Sequence, residues 1–384
     1  MVRAIHGEET KILKSSKKLK LLTMKKTLML ILTGAFGFCL LLSCGGKGDT
    51  KESEWVMNAK LDSLITNMAA CEQQNSNCPA YLKAEEGIKA MAKDTSFKNL
   101  VEELFNGIKY SSSGARSAAC AHALTFWVYD YEIYKKPEYG RIVLDALKKE
   151  KFDEKLYYGS TLGQLLSGWL ATDDEGLLKD LHAAVADKNV EMRGRRELIR
   201  LSGEMSFAKA GYVDLLIGIA NDATEELDIR LAVLGVLWRV TDPAHIEKVE
   251  AMYMTYLNSE DRDLCCAAMV GISYMRSVAH YTEVLAKIEE LGANEDYISS
   301  CSVSLSNYIG WEPKEGIDTK KALNMAVKFA NDKTIRPFYR SYYLSPIEYY
   351  GGPEAITILT KLGNDKEKDI AEPAKKAVER LKKK

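Results

Sequence analysis

The sequence predicts an all-α chain, an α-solenoid of two-helix repeats behind an N-terminal helical cap. Three observations carry that reading. Short apolar-and-small segments recur at nearly constant spacing, and the residues between them are the Asn, Asp, Ser and Gly of helix ends. Only 8 prolines and 9% aromatics interrupt a chain rich in Ala, Leu, Lys and Glu. At 46% hydrophobic and 28% charged, 384 residues can build an extended core and lack the composition of a disordered protein.

The clearest repeat segment is EELDIRLAVLGVL, where Ile229-Arg230 precedes small and apolar residues and Gly235. DRDLCCAAMVGI echoes it, with Leu264 for Ile229, Ala268 for Val233 and Gly271 near the place of Gly235. Further echoes are anchored at Met192 (EMRGRRELI), Ile298 (DYISSCSVSL), Ile335 (TIRPFYRSYY) and Ile370 (KDIAEPAKKAV), with weaker ones at Ala115 and Leu156. Successive anchors lie 34 to 41 residues apart. Between them runs a second apolar-periodic segment, such as Tyr212–Ala220, Ile246–Leu257, Tyr281–Leu291, Lys320–Ala330 or Ala355–Leu362. Turns are expected at Asn221-Asp222, Asn258-Ser259, Gly292, Asn331-Asp332 and Gly363-Asn364. One such helix pair cannot bury its apolar face; a stack of them can, and it presents one concave wall.

From about Ser111 to the C-terminus this pattern resembles HEAT repeats of the short kind, with an Asp-x-x-Val-Arg-x-x-Ala consensus. The match is best at Ile229-Arg230, Leu264–Ala268 and Ile370–Ala374. Tyr157, Cys265, Ser299 and Ala371 stand where the consensus has arginine, so the expectation is about seven to nine HEAT-like units over 111–384. The Trp-Leu-Gly-Tyr pattern of tetratricopeptide repeats is not visible. Residues 55–110 are helical by periodicity (Leu61, Leu64, Ile65, Met68; Leu100, Leu104, Phe105, Ile108) but fall outside the repeat register, as a cap would.

The N-terminus carries an address. From Met24 the chain reads Met-Lys-Lys-Thr, then an apolar run from Leu28 to Leu42, then Ser43-Cys44-Gly45. Lysines followed by 15 apolar residues form a secretory signal, too short for a comfortable transmembrane helix of about 20 residues. Leu-Leu-Ser-Cys resembles the bacterial lipobox, which implies that 24–43 is removed and Cys44 is lipidated. Residues 1–23 are then read as an upstream mis-start, and 44–54 as the lipidated cysteine with a polar, glycine-rich tether. Gly45, rather than Asp, after the cysteine favours the outer membrane over the inner by resemblance to the enterobacterial sorting rule. Gly46-Lys47 is no phosphate-binding loop, because Gly48 stands where Ser or Thr is needed and Leu41 where the first glycine is needed. Residues 44–384 hold 45 basic and 52 acidic side chains, which gives no electrostatic reason to expect nucleic acid.

Export permits disulfides. Cys71 and Cys78 bracket the polar segment EQQNSN and are the candidate pair, a bridge worth about 2.5 kcal/mol by loop entropy. Zinc is disfavoured, since no second Cys or His pair lies at ligand spacing. Cys120, Cys265, Cys266 and Cys301 sit in apolar runs, either as small buried hydrophobes or with Cys265 or Cys266 linked to Cys301.

Among candidate sites, Arg116, Arg193, Arg230 and Arg336 follow their anchors and would stack as a ladder. Such arginines suit pairing with acids of the next unit, or an acidic partner. The stretch Pro337–Tyr350 holds six aromatics, and Tyr339, Tyr342 and Tyr343 with Arg336 and Arg340 form a candidate binding patch, extended by Arg230 and Arg193. Helical spacing alone turns about half of those rings to the core. His245 and His280 both lie sixteen residues after their anchors and read as helix-start residues, His122 and His182 as part-buried side chains. No His-Glu-x-x-His, Gly-x-Ser-x-Gly, dinucleotide loop or Ser-x-x-Lys set occurs, so no catalytic residue, metal or cofactor is expected. HEAT-like repeats also resemble those of phycobilin lyases, a fold analogy without residues behind it. The expected function is a non-catalytic scaffold, anchored in the cell envelope by lipid, whose concave face holds another envelope protein. The alternatives are a glycan- or peptide-binding module built on the Tyr-rich patch, and after that an enzyme.

Overall fold

The computed structural model describes residues 55–383 apart from 72–77, 95–96, 98, 112, 128–132, 150–158, 171–173, 206–210 and 311. Cys44, the signal at 24–43, the mis-start at 1–23 and the tether to 54 lie outside the described residues. Among those described there are helices and no strand, and no helix is long and apolar enough to cross a membrane.

Three helices come first: α1 (Ala59–Ala69), α2 (Pro79–Lys93) and α3 (Leu100–Tyr110). The anchor segments then form α4 (Gly114–Leu124), α6 (Gly159–Leu170), α8 (Met192–Met205), α10 (Leu227–Leu237), α12 (Arg262–Met275), α14 (Ile298–Ile309), the pair α16 (Pro337–Arg340) and α17 (Leu344–Tyr350), and α19 (Lys368–Lys383). Between them lie the second helices α5 (Pro137–Lys148), α7 (Glu175–Ala186), α9 (Tyr212–Asn221), α11 (Pro243–Leu257), α13 (Tyr281–Leu291), α15 (Thr319–Asn331) and α18 (Gly352–Leu362). The HEAT-like, all-α solenoid is therefore the fold.

Periodicity decides which face each helix buries. In α13 the buried set is Tyr281, Val284, Leu285 and Ile288, one stripe at i, i+3, i+4 and i+7. Anchor helices are buried on more sides, and α10 hides Ile229, Val233, Leu234, Val236 and Leu237. Each anchor helix packs closely on the next from α4 to α19, whereas the second helices touch one another sparsely. Two layers of unequal spacing curve towards the closer one, so the anchor helices form the concave wall.

Close spacing requires small residues. A Cβ at Gly271 in α12 would lie 2.4 Å from the Tyr253 ring of α11, and one at Gly292 would lie 2.3 Å from the Phe329 ring. Gly235 is its sequence counterpart in α10, yet nothing lies within 4 Å of a Cβ there. The last described helix, α19, buries Ile370, Ala371, Ala374 and Ala377 and exposes Glu372, Lys375, Lys376 and Glu379.

The N-terminal helices continue the same layers: α1 packs on α4, and α3 on α5. Residues 55–58 run back along α3. The Trp55 ring meets Tyr110 at 5.9 Å, and the Asn58 N–H donates to Glu103 at 2.8 Å. Met57 lies over Gly107, where a Cβ would come within 2.8 Å of it. The structure joins Cys71 to Cys78 in a disulfide. Cys120, Cys265, Cys266 and Cys301 are free, so the suggested bridge to Cys301 is not made. Cys265 instead points its thiol at the Leu257 carbonyl, 3.2 Å away, and Cys301 lies against the Met269 sulfur at 3.8 Å.

The two glycines make a discriminating pair. Gly235→Ala gains up to about 1 kcal/mol from helix propensity, whereas Gly271→Ala loses about 1–3 kcal/mol by displacing the Tyr253 ring. Urea titrations of both variants check the difference in sign.

Candidate functional site

The last residues of a helix leave carbonyls without helical partners, and at the ends of five second helices a side chain from an anchor segment donates to one of them. Arg195 Nε donates to the Val185 carbonyl at 2.7 Å, Arg230 to Ala220 at 2.9 Å, and Arg340 to Ala330 at 2.9 Å. Where arginine is absent, the Cys265 thiol takes the Leu257 carbonyl and the Tyr343 hydroxyl donates to Gly292 at 2.7 Å. The remaining guanidinium nitrogens extend into the next unit. Arg195 grips the Glu225 carboxylate with both, at 2.8 Å each, and Arg340 reaches Asp365 at 2.7 Å.

Of the four arginines expected to stack as a ladder, one, Arg230, takes an inward place. Arg116 instead pairs with Asp62 and Thr66 of α1, Arg336 pairs with Glu295, and Arg193 is exposed on α8. Arg195 and Arg340 take the inward places. Arg340, named above as part of a binding patch, is 1% exposed and is a structural residue.

The same helix phase divides the aromatic stretch. Arg340 and Tyr343 turn towards α15, where the Tyr343 ring stacks on Phe329 at 4.9 Å. Tyr343 is completely buried, so it too leaves the patch. Phe338 and Tyr342, at i and i+4, face away from α15 on the anchor-helix layer, and half-buried Tyr339 packs between them and the core. Phe338 is 55% exposed and Tyr342 38%. Their rings form one cluster: Phe338 stands edge-on to Tyr339 at 5.3 Å and to Tyr342 at 5.6 Å. Tyr339 and Tyr342 lie 6.3 Å apart with planes 24° from parallel. The Arg336 guanidinium covers Tyr339 at 4.9 Å. Its ion pair holds the Glu295 carboxyl below the usual carboxylate range. Underneath, the Ser302 hydroxyl donates to the Tyr342 carbonyl at 2.7 Å and fixes the turn. Phe338 was missing from the residues singled out by sequence; its signal is Pro337, which sets the helix start and hence the phase.

Other candidates resolve locally. His245 Nδ1 lies 2.6 Å from Asp242, and His280 Nδ1 lies 2.9 Å from Glu283, each beside a helix start. His182 stacks on Tyr212 at 4.0 Å. His122 meets the Tyr81 ring edge-on at 5.3 Å, and burial lowers its pKa. Among the described residues no three His, Cys, Asp or Glu side chains converge as a metal site.

Fold and surface together define a HEAT-like solenoid with an aromatic patch on its concave layer. No protein-family model matches the chain, and no curated protein matches it in sequence. Solved structures similar to it include importin beta in an ammonium sulfate condition, at 12% identity and a TM-score of 0.49, covering 84% of this chain and 50% of that one. Kap95p with RanGDP gives the same four values. Kap121p bound to Nup53p is 13% identical with a TM-score of 0.44, covering 84% and 37%. The chain spans half or less of the length of each, and Nup53p and RanGDP are partners of those proteins.

Two expectations follow. Tyr343→Ala empties a filled site and costs about 3–5 kcal/mol, while Tyr342→Ala changes stability by about 0.5 kcal/mol or less; thermal melts of the two separate them. Arg195→Ala strands the buried Glu225 carboxylate and costs about 3–5 kcal/mol at neutral pH. Burial raises the Glu225 pKa, but hydrogen bonds from Arg195 more than offset it and the net shift is downward. A depressed carboxyl stabilises the fold above its unfolded pKa, and that stability is lost as pH falls through the lower folded value. Unfolding measured from pH 7 downwards therefore shows wild type losing stability below about pH 4, with a smaller loss over that window in Arg195→Ala.

Proposed function

We propose that this chain is a non-catalytic scaffold of the bacterial cell envelope, lipid-anchored through Cys44, whose concave wall holds another envelope protein. The observation that carries the reading is the cluster of Phe338, Tyr339 and Tyr342 on that wall. Three large rings held by their own helix lose little freedom on binding, and aromatic residues with an adjacent arginine dominate protein-binding hot spots. The anchored location rests on the sequence alone, on the apolar run ending in Leu-Leu-Ser-Cys44. Ten polar and glycine-rich residues, 45–54, lie between Cys44 and Trp55, a composition that suits a tether. The Cys71–Cys78 disulfide suits an oxidising compartment.

A crosslinked pull-down of the C-terminally tagged protein from its native envelope tests this. The expected result is one stoichiometric partner, lost by at least about 30-fold when Phe338→Ala and Tyr342→Ala are combined. The Cys44→Ala variant is expected in the soluble fraction, with its affinity for the isolated partner unchanged. Recovery of the protein alone, or a partner indifferent to the double variant, overturns the assignment.

A further inference from the structure

A second aromatic surface lies elsewhere, where α10 and α12 end. Trp238, directly after α10, and Tyr274, in the last turn of α12, stack with centroids 4.7 Å apart and planes at 25°. The indole N–H donates to the Gly235 carbonyl at 2.9 Å, and the Arg239 guanidinium lies over the indole at 5.0 Å. Around this pair opens a cavity of about 730 Å³, lined also by Ile246 and Glu250 of α11, Val278 of the next turn and Lys314. It joins three successive repeats and falls in the size range of small-ligand sites, about 300–1,000 Å³.

The far wall is a built feature. Nine residues, 310–318, separate α14 from α15, where five separate α10 from α11 and α12 from α13. The longer loop is fastened across the α12–α13 turn. Lys314 Nζ donates to the Arg276 carbonyl at 2.7 Å, and Arg276 donates back to Glu312 at 2.9 Å and to the Tyr308 carbonyl at 3.2 Å. Gly316, at φ 84°, presses on Val278, and a Cβ there would lie 2.4 Å from it. The wall is thus in place before any ligand arrives.

Its chemistry selects a ligand class. Tyr274 is 44% exposed and Val278 42%, so an apolar platform faces the opening. Glu250 is half-buried and forms no hydrogen bond or ion pair with the described residues, although Arg239 and Lys314 line the same cavity. A ligand with one net charge is attracted by one sign and repelled by the other. A neutral ring bearing hydroxyls uses both: hydroxyls accept from Arg239 and Lys314, donate to Glu250, and leave the C–H face for the aromatic platform. We propose that this cavity binds a neutral sugar, with the outer face of Tyr274, backed by Trp238, as the stacking surface and Glu250 as the acceptor for its hydroxyls.

The purified full-length protein is screened on an array of neutral oligosaccharides of glucose, galactose, mannose and N-acetylhexosamines, with sulfated and sialylated glycans and short peptides alongside. Hits are then titrated by tryptophan emission. The expected result is a neutral oligosaccharide that binds saturably and changes the emission. Tyr274→Ala lowers its affinity at least tenfold without moving the melting temperature, and Glu250→Gln lowers it several-fold. Phe338→Ala with Tyr342→Ala leaves it intact, which separates this site from the concave patch. Absence of any neutral binder, preference for the charged glycans or the peptides, or a binder indifferent to both Tyr274→Ala and Glu250→Gln overturns the proposal.

Discussion

The array depends on one constraint, the last carbonyls of each second helix. A helix that ends inside a stack leaves acceptors where water cannot reach them, and each such group left bare is expensive. The solution repeats along the chain: a side chain from the following anchor helix, or from a later unit, points inward and donates to a carbonyl at the helix end. Arginine does this best, because one nitrogen serves the carbonyl while the others cross to an acid of the next unit, as Arg195 does with Glu225. One residue thereby fixes the turn within a repeat and the interface between repeats. Cysteine at 265 fulfils only the first of these duties, and tyrosine at 343, reaching Gly292 from a later unit, only the second. The outer helices compensate with surface ion pairs such as Lys248–Asp214 and Lys328–Glu289, 34 and 39 residues apart, near one repeat length. Each of these contributes little alone.

A second repeated device sits beside the first. At the turn into each anchor helix from α8 on, a side-chain oxygen accepts from the backbone N–H two residues ahead. Asp187, Asp222, Ser259, Asn294, Asp332 and Asp365 all do so. These residues are 33 to 38 apart. Their role is local and does not depend on which helix packs above, and they mark the repeat alongside the apolar anchors, which are 34 to 37 apart over the same units.

These two regular markers explain what could be read from the sequence. Repeat length and two-helix plan were legible, because both follow from apolar spacing and turn residues. The inward arginines were not. Anchors at Met192 and Ile335 pointed to Arg193 and Arg336, whereas the carbonyls at Val185 and Ala330 select Arg195 and Arg340. In the later unit Pro337 delays the helix and a tight turn at Ser341–Tyr343 follows, so four residues, 336–339, separate the anchor from the inward arginine. Once Arg340 points in, the phase carries Tyr343 in with it and turns Phe338 and Tyr342 out. Composition could say that about half of six rings are buried; only the helix phase says which half. The Trp238 cavity was less legible still, since its wall comes from Lys314, far along the chain and two repeats away.

Successive anchor helices are separated by one returning helix, so they all run in the same direction. Their starts line one edge of the array and their ends the other. Interior positions are committed to stacking, as at Gly271, which leaves no room for even a methyl group. Free chemistry therefore concentrates at helix ends. The Phe338 cluster lies where an anchor helix starts, and the Trp238–Tyr274 cavity lies where two of them end. The two surfaces are therefore separated by roughly the length of an anchor helix, and neither draws a residue from the other. A partner seated on the concave patch leaves the cavity open. An array of this kind can hold two ligands of different chemistry because its repeats are rigid in the middle and variable at their turns.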